Sequence, residues 1–117
     1  MDGAHMKIET ETFDDGIIKI DLAGRMDGQG TQEIDQELID YACSQRSVIV
    51  DMSAVDFIAS VGIRSLILVA KAVSRRGGKI VLLNPDANTT KLLEIARLDD
   101  LIPIHQSLDA ALQAVSI

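Results

Sequence analysis

The sequence predicts an α/β fold, a mixed, largely parallel sheet covered by about four helices in the order ββαβαβαβα. Three observations carry this. Short β-branched runs alternate with segments whose apolar residues recur at helical spacing. Asp14-Asp15-Gly16 is a turn signal that folds the first strand back on the second. Gly77-Gly78 and Asn84-Pro85 punctuate the later elements as helix and strand stops.

Taken in order, Lys7 to Phe13 alternates Ile8, Thr10 and Thr12 against Lys7, Glu9 and Glu11, as an exposed strand does. Ile17 to Leu22 places Ile18, Ile20 and Leu22 on one face, and Gly24 ends the run. Gly28 and Gly30 read as a loop and Thr31 as a helix cap. From there to about Ser44, Ile34, Leu38, Tyr41 and Ala42 form a core stripe with acidic residues outside. Ser47 to Met52 has the pattern of a central buried strand. Ser60 to Arg76 fits a second helix, Ile80 to Leu83 another buried strand, and Asp86 to about Leu98 a third helix with Leu92, Leu93 and Ala96 inward. Leu101 to Ile104 reads as a short edge strand, where Pro103 is tolerated. Ser107 caps a last helix with Leu108, Ala111, Leu112 and Val115 at i, i+3, i+4 and i+7.

A chain of 117 residues, 47% of them hydrophobic, suits one domain. Met1 to His5 resembles a cloning scar, so the domain is expected over residues 6–117. Lys and Arg number 11 against 18 Asp and Glu, a formal charge of −7, and aromatics are 3% with no Trp. That balance disfavours nucleic-acid binding, which needs cations for phosphates and rings for bases. Cys43 is the single cysteine, which excludes an intramolecular disulfide and a Cys-based metal site. With no apolar run of about 18 residues, membrane insertion is not expected, and the cytoplasm is the default location.

The sequence offers no catalytic set, and no cofactor is expected. Gly28-Gln29-Gly30 starts a dinucleotide fingerprint, but Glu33 stands where the third glycine belongs. Gly77-Gly78-Lys79 lacks the earlier glycine of a phosphate loop and continues into Ile80. His105 stands alone, Asp99-Asp100 reads as a solvated loop pair, and Cys43 reads as packing.

Information concentrates in the segment from Val50 to Leu66. On a helical wheel from Ser60, Ile63, Leu66, Val69, Ala70 and Val73 cluster as the core stripe. Ser60, Arg64, Lys71 and Arg75 lie roughly opposite, edged by Ile67 and Leu68. Ser60 thus tops a basic stripe with aliphatic flanks, a composition suited to docking. From local physics alone the plainer reading is an ordinary helix cap, worth about 1 kcal/mol over Ala.

The pattern Asp51, Ser53, Val55, Phe57, Ser60, Gly62, Ile63 resembles the signature of STAS domains, specifically the bacterial anti-sigma factor antagonists. The similarity runs from about Met6 to Val115 and includes Gly24-Arg25-Met26-Asp27, Gly77-Gly78 and Leu98-Asp99-Asp100-Leu101. Two positions depart from it. Ala59 stands where an acidic residue is frequent and Val61 where Ser is frequent, which bears on kinase recognition and narrows the choice of acceptor.

The resemblance implies partner switching by a protein that is not an enzyme. The unmodified antagonist binds an anti-sigma factor that is also a serine kinase and frees the sigma factor. Phosphorylation at Ser60 ends binding, and a PP2C-type phosphatase restores it. Ser60 is then the phosphorylation site, with Asp27, Ala59, Val61, Gly62, Arg64, Ile67, Leu68 and Lys71 as partner-binding positions. For Asp27 a plain loop acid, and for Arg64, Lys71 and Arg75 a plain solvated face, are the competing readings. Within the same fold, a STAS subunit of a lipid-transport ABC complex or a stressosome-like scaffold without phosphate cycling is the alternative.

Overall fold

The structure, a computed structural model, describes residues 6–116; the Met1–His5 stretch read as a cloning scar lies outside the described residues. Its elements follow the predicted order: β1 (Met6–Phe13), β2 (Ile17–Met26), α1 (Gly28–Ala42), β3 (Ser47–Ile58), α2 (Ser60–Arg75), β4 (Ile80–Leu83), α3 (Ala87–Ile95), a 3₁₀ turn (Leu98–Asp100), β5 (Ile104–His105) and α4 (Leu108–Val115). The strands form one sheet in the order β1-β2-β3-β4-β5. β1 is antiparallel to β2, and the remaining pairs are parallel. The hairpin turns through Asp15 and Gly16, at φ 69° and 75°, the left-handed region that Asp tolerates and Gly favours.

Alternation along the strands divides the core. Ile18, Ile20, Leu22, Val48, Val50 and Met52 point to one face, where α1 contributes Ile34 and Leu38, α2 contributes Leu66, Val69 and Val73, and α3 contributes Leu93. Ile17, Ile49, Val81 and Leu83 point to the other, against Ala111 and Val115 of α4. Burying each of these larger side chains contributes about 1.5–3 kcal/mol.

Several expectations are corrected. α1 begins at Gly28 and its cap is Asp27, whose Oδ1 accepts the Gly30 amide at 2.8 Å; Thr31 is buried within the first turn. Gly28 and Gly30 are therefore helical. Gly30 is required there because a Cβ would stand 1.9 Å from the Arg25 carbonyl oxygen. β3 runs to Ile58 instead of stopping at Met52, paired to the end of β2 across two register irregularities. α3 stops at Ile95, where Arg97 turns left-handed at φ 60°, and Leu92 and Ala96 are exposed rather than inward. β5 is confined to Ile104–His105 because residues 98–100 form the 3₁₀ turn. Cys43 is exposed at the C-cap of α1, so it does not pack in the core.

Candidate docking site at the ends of β2 and β3

Parallel pairing brings the C-terminal ends of β2 and β3 to one edge of the sheet, with Arg25 opposite Phe57 and Met26 opposite Ile58. One bond closes the edge: the Ala59 amide donates to the Met26 carbonyl at 3.0 Å. Asp27 and Ser60 each follow a partner of that bond by one residue. The starts of α1 and α2 therefore lie side by side, both presenting the positive end of a helix dipole.

The two starts are built differently. Asp27 caps α1 with its carboxylate and its backbone oxygen accepts the Thr31 amide at 2.9 Å. At α2 the cap position falls on Ala59, in extended backbone (φ −100°, ψ 173°), with no side-chain cap. Its carbonyl accepts the Gly62 and Ile63 amides at 2.9 and 3.1 Å. Ser60 is the first helical residue and is exposed. The reading of Ser60 as a helix cap is thus corrected: its hydroxyl has no capping duty.

Gly62 is the other departure. It is buried, and a Cβ there would meet Ile58 Cγ1 at 2.9 Å and Met26 Cβ and O at 3.0 Å. Instead of offering a surface contact, Gly62 lets α2 seat closely on the ends of β2 and β3. The remaining expected positions are spread from Ala59 along α2 to Lys71. Arg64 and Lys71 are exposed, Val61 and Leu68 are exposed at 37% and 53%, and Ala59 and Ile67 are half-buried, Ile67 against the core. Arg75, opposite the core stripe, is exposed as well.

Sequence reasoning missed one feature of this edge. The Arg25 guanidinium lies 4.3 Å from the centre of the Phe57 ring, and its Nε is 3.4 Å from Asp27 Oδ2. Phe57 is 37% exposed, so the stack is a surface feature with the aromatic and arginine composition of interface anchors. The signal was the β2–β3 register, which became readable only with β3 extended to Ile58.

The other serines of the segment are engaged. Ser65 is buried and donates to Asp35 of α1, tying the two helices together. Ser53 donates to Asp51 Oδ1 at 2.7 Å. Among the described residues no group of three or more His, Cys, Asp or Glu is placed to hold a metal, and no helix is long and apolar enough to cross a membrane.

Comparison with known proteins places these features in a family. The STAS domain model matches residues 7–111. A relative from Bordetella bronchiseptica, BtrV, whose name assigns it to the anti-sigma factor antagonists, is 28% identical over 110 residues, covering 93% of this chain and 94% of its own. The crystal structure of an anti-sigma factor antagonist from Mycobacterium paratuberculosis superposes with a TM-score of 0.84 at 24% identity, covering 94% of this chain and 93% of that one. The Bacillus cell fate determinant SpoIIAA in its phosphorylated form has the same fold, with a TM-score of 0.70 at 17% identity over 93% of this chain and 99% of that one. With the signature segment folded as the β3–α2 corner and a family match over nearly its whole length, this chain belongs to the STAS domain family.

Proposed function

We propose that this protein is an anti-sigma factor antagonist that works by partner switching, with Ser60 as the toggle. The observation that carries the reading is the state of the Ser60 side chain, exposed on the first residue of α2 and spared from capping. The names of its relatives support the class of function. In this reading the unmodified chain binds an anti-sigma factor serine kinase through the Ser60 edge and the outward stripe of α2. A PP2C-type phosphatase reverses the modification.

The energetics favour a switch that acts on the interface and leaves the fold alone. A phosphate adds about −1.5 to −2 charge at pH 7. At a helix N-terminus that charge is favoured by about 0.3–1 kcal/mol. Buried without a cation in an interface it costs several kcal/mol of desolvation. Since about 1.4 kcal/mol is tenfold in affinity, the interface term decides the outcome.

Phosphopeptide mass spectrometry after incubation with the cognate kinase and ATP tests the assignment. Label on Ser60 in the wild type and none in Ser60→Ala supports it. Continued labelling of Ser60→Ala to the same extent overturns it.

A further inference from the structure

One cation of the candidate edge lies outside the basic stripe of α2. Arg25 ends β2 opposite Phe57 of β3, and the residues that follow them, Met26 and Ile58, are buried in the core. Successive side chains of a strand alternate between faces, so Arg25 and Phe57 point to the other face of the sheet. α4 packs on that face around Ile17, Ile49, Val81 and Leu83 and leaves the stack open, with 53% of the Arg25 side chain exposed. Arg25 and Ser60 flank the bond between the Met26 carbonyl and the Ala59 amide, one residue before it on β2 and one after it on α2.

The guanidinium is fixed at two points. Its carbon lies 4.3 Å from the centre of the Phe57 ring, and Nε donates to Asp27 Oδ2 at 3.4 Å. Asp27 is itself held by its capping bond from the Gly30 amide. The terminal nitrogens, Nη1 and Nη2, bond no described residue. Held in this way, they present a fork of N–H donors spaced for the two oxygens of a carboxylate, and little side-chain freedom is left to lose on binding. The positive ends of α1 and α2 add to the local field, so an anionic group is drawn to this edge of a chain whose formal charge is −7.

We propose that Arg25 is a docking residue whose fork takes the carboxylate of one Asp or Glu side chain of the partner in a two-pronged ion pair. This rests on the partner-switching reading above and names the chemistry the partner brings. It also gives the switch a second lever. A phosphoryl group on Ser60 sets about −1.5 to −2 charge at the edge where that carboxylate docks, repelling it and competing with it for the guanidinium.

Calorimetric titration of the cognate anti-sigma kinase tests this with whole-chain variants whose urea midpoints confirm the fold. Arg25→Lys keeps the charge but loses the fork, and is expected to bind about tenfold or more weaker. Phe57→Leu removes the ring beneath Arg25, and is expected to bind about twofold to fivefold weaker. Arg25→Glu is expected to abolish measurable docking, and changing the kinase's surface Asp and Glu residues singly to Arg is expected to find one change that restores it. An Arg25→Lys or Phe57→Leu chain that binds as tightly as the wild type, or an Arg25→Glu chain that no such change restores, overturns the proposal. If phosphorylation of Ser60 still releases the wild type, those outcomes strike the Arg25 contact alone, whereas a wild type that binds no kinase removes both this contact and the switch.

Discussion

The Ala59 amide donates to the Met26 carbonyl at 3.0 Å, and this bond fixes the spacing between the two helix starts that form the candidate site. Asp27 and Ser60 follow it on either side, one committed to capping its helix and the other not. That asymmetry sets the expected behaviour of substitutions at the edge.

Ser60→Ala is expected to leave stability within about 0.5 kcal/mol of the wild type, as for a surface position without a structural feature. Urea denaturation checks this. A loss of about 1 kcal/mol or more would show that the hydroxyl caps α2 after all.

Asp27→Ala removes the acceptor of the Gly30 amide and is expected to cost about 1 kcal/mol. Asp27→Asn retains a capping oxygen and should keep most of that stability. If partner affinity falls in Asp27→Asn while the urea midpoint holds, the carboxylate contributes to docking separately from its capping.

Gly62→Ala drives a methyl group against Ile58 and the Met26 backbone, where contacts of 2.9–3.0 Å leave no room. Overpacking of this kind costs about 1–3 kcal/mol. The same denaturation measurement should show the loss, and a stability equal to wild type would mean that α2 can lift off the sheet freely.

Lys19 supplies the pH dependence. Burial pulls its pKa down, but the hydrogen bond and charge of Asp21 and the weaker pull of Asp51 outweigh it, so the pKa is raised. Its Nζ lies 2.6 Å from Asp21 and 3.5 Å from Asp51. A raised folded pKa contributes stability that is fully present below the unfolded value, about 10.4, and is lost as pH rises through the folded one. Stability measured toward alkaline pH should therefore fall more steeply in the wild type than in Lys19→Met. Identical slopes would contradict the assignment.

Much of this was legible in the sequence because strand and helix periods differ and each buried stripe repeats. Ile18, Ile20 and Leu22 identified β2, and Leu66, Val69, Ala70 and Val73 identified the inner face of α2. The α1 start was hidden because its cap is an Asp before two glycines, a pattern that reads as a loop until Arg25 is seen pressing on Gly30. β3 beyond Met52 was hidden because Ser53, Ala54, Asp56 and Phe57 are exposed, while its register is held by β2 across the irregularities. Leu92 and Ile95 carry helical spacing without a surface to cover, so periodicity misassigned Leu92 to the core. Around the site, residue types located Ser60 and its stripe. The Arg25–Phe57 stack is a contact between strands that no local pattern encodes.

Partner switching requires that a phosphoryl group at Ser60 weaken docking. Calorimetric titration of the cognate anti-sigma kinase with unmodified chain and with chain phosphorylated at Ser60 measures this most directly. Docking weaker by about tenfold or more in the phosphorylated chain, with an unchanged circular dichroism spectrum, is the predicted result. Equal affinity of the two forms would contradict it.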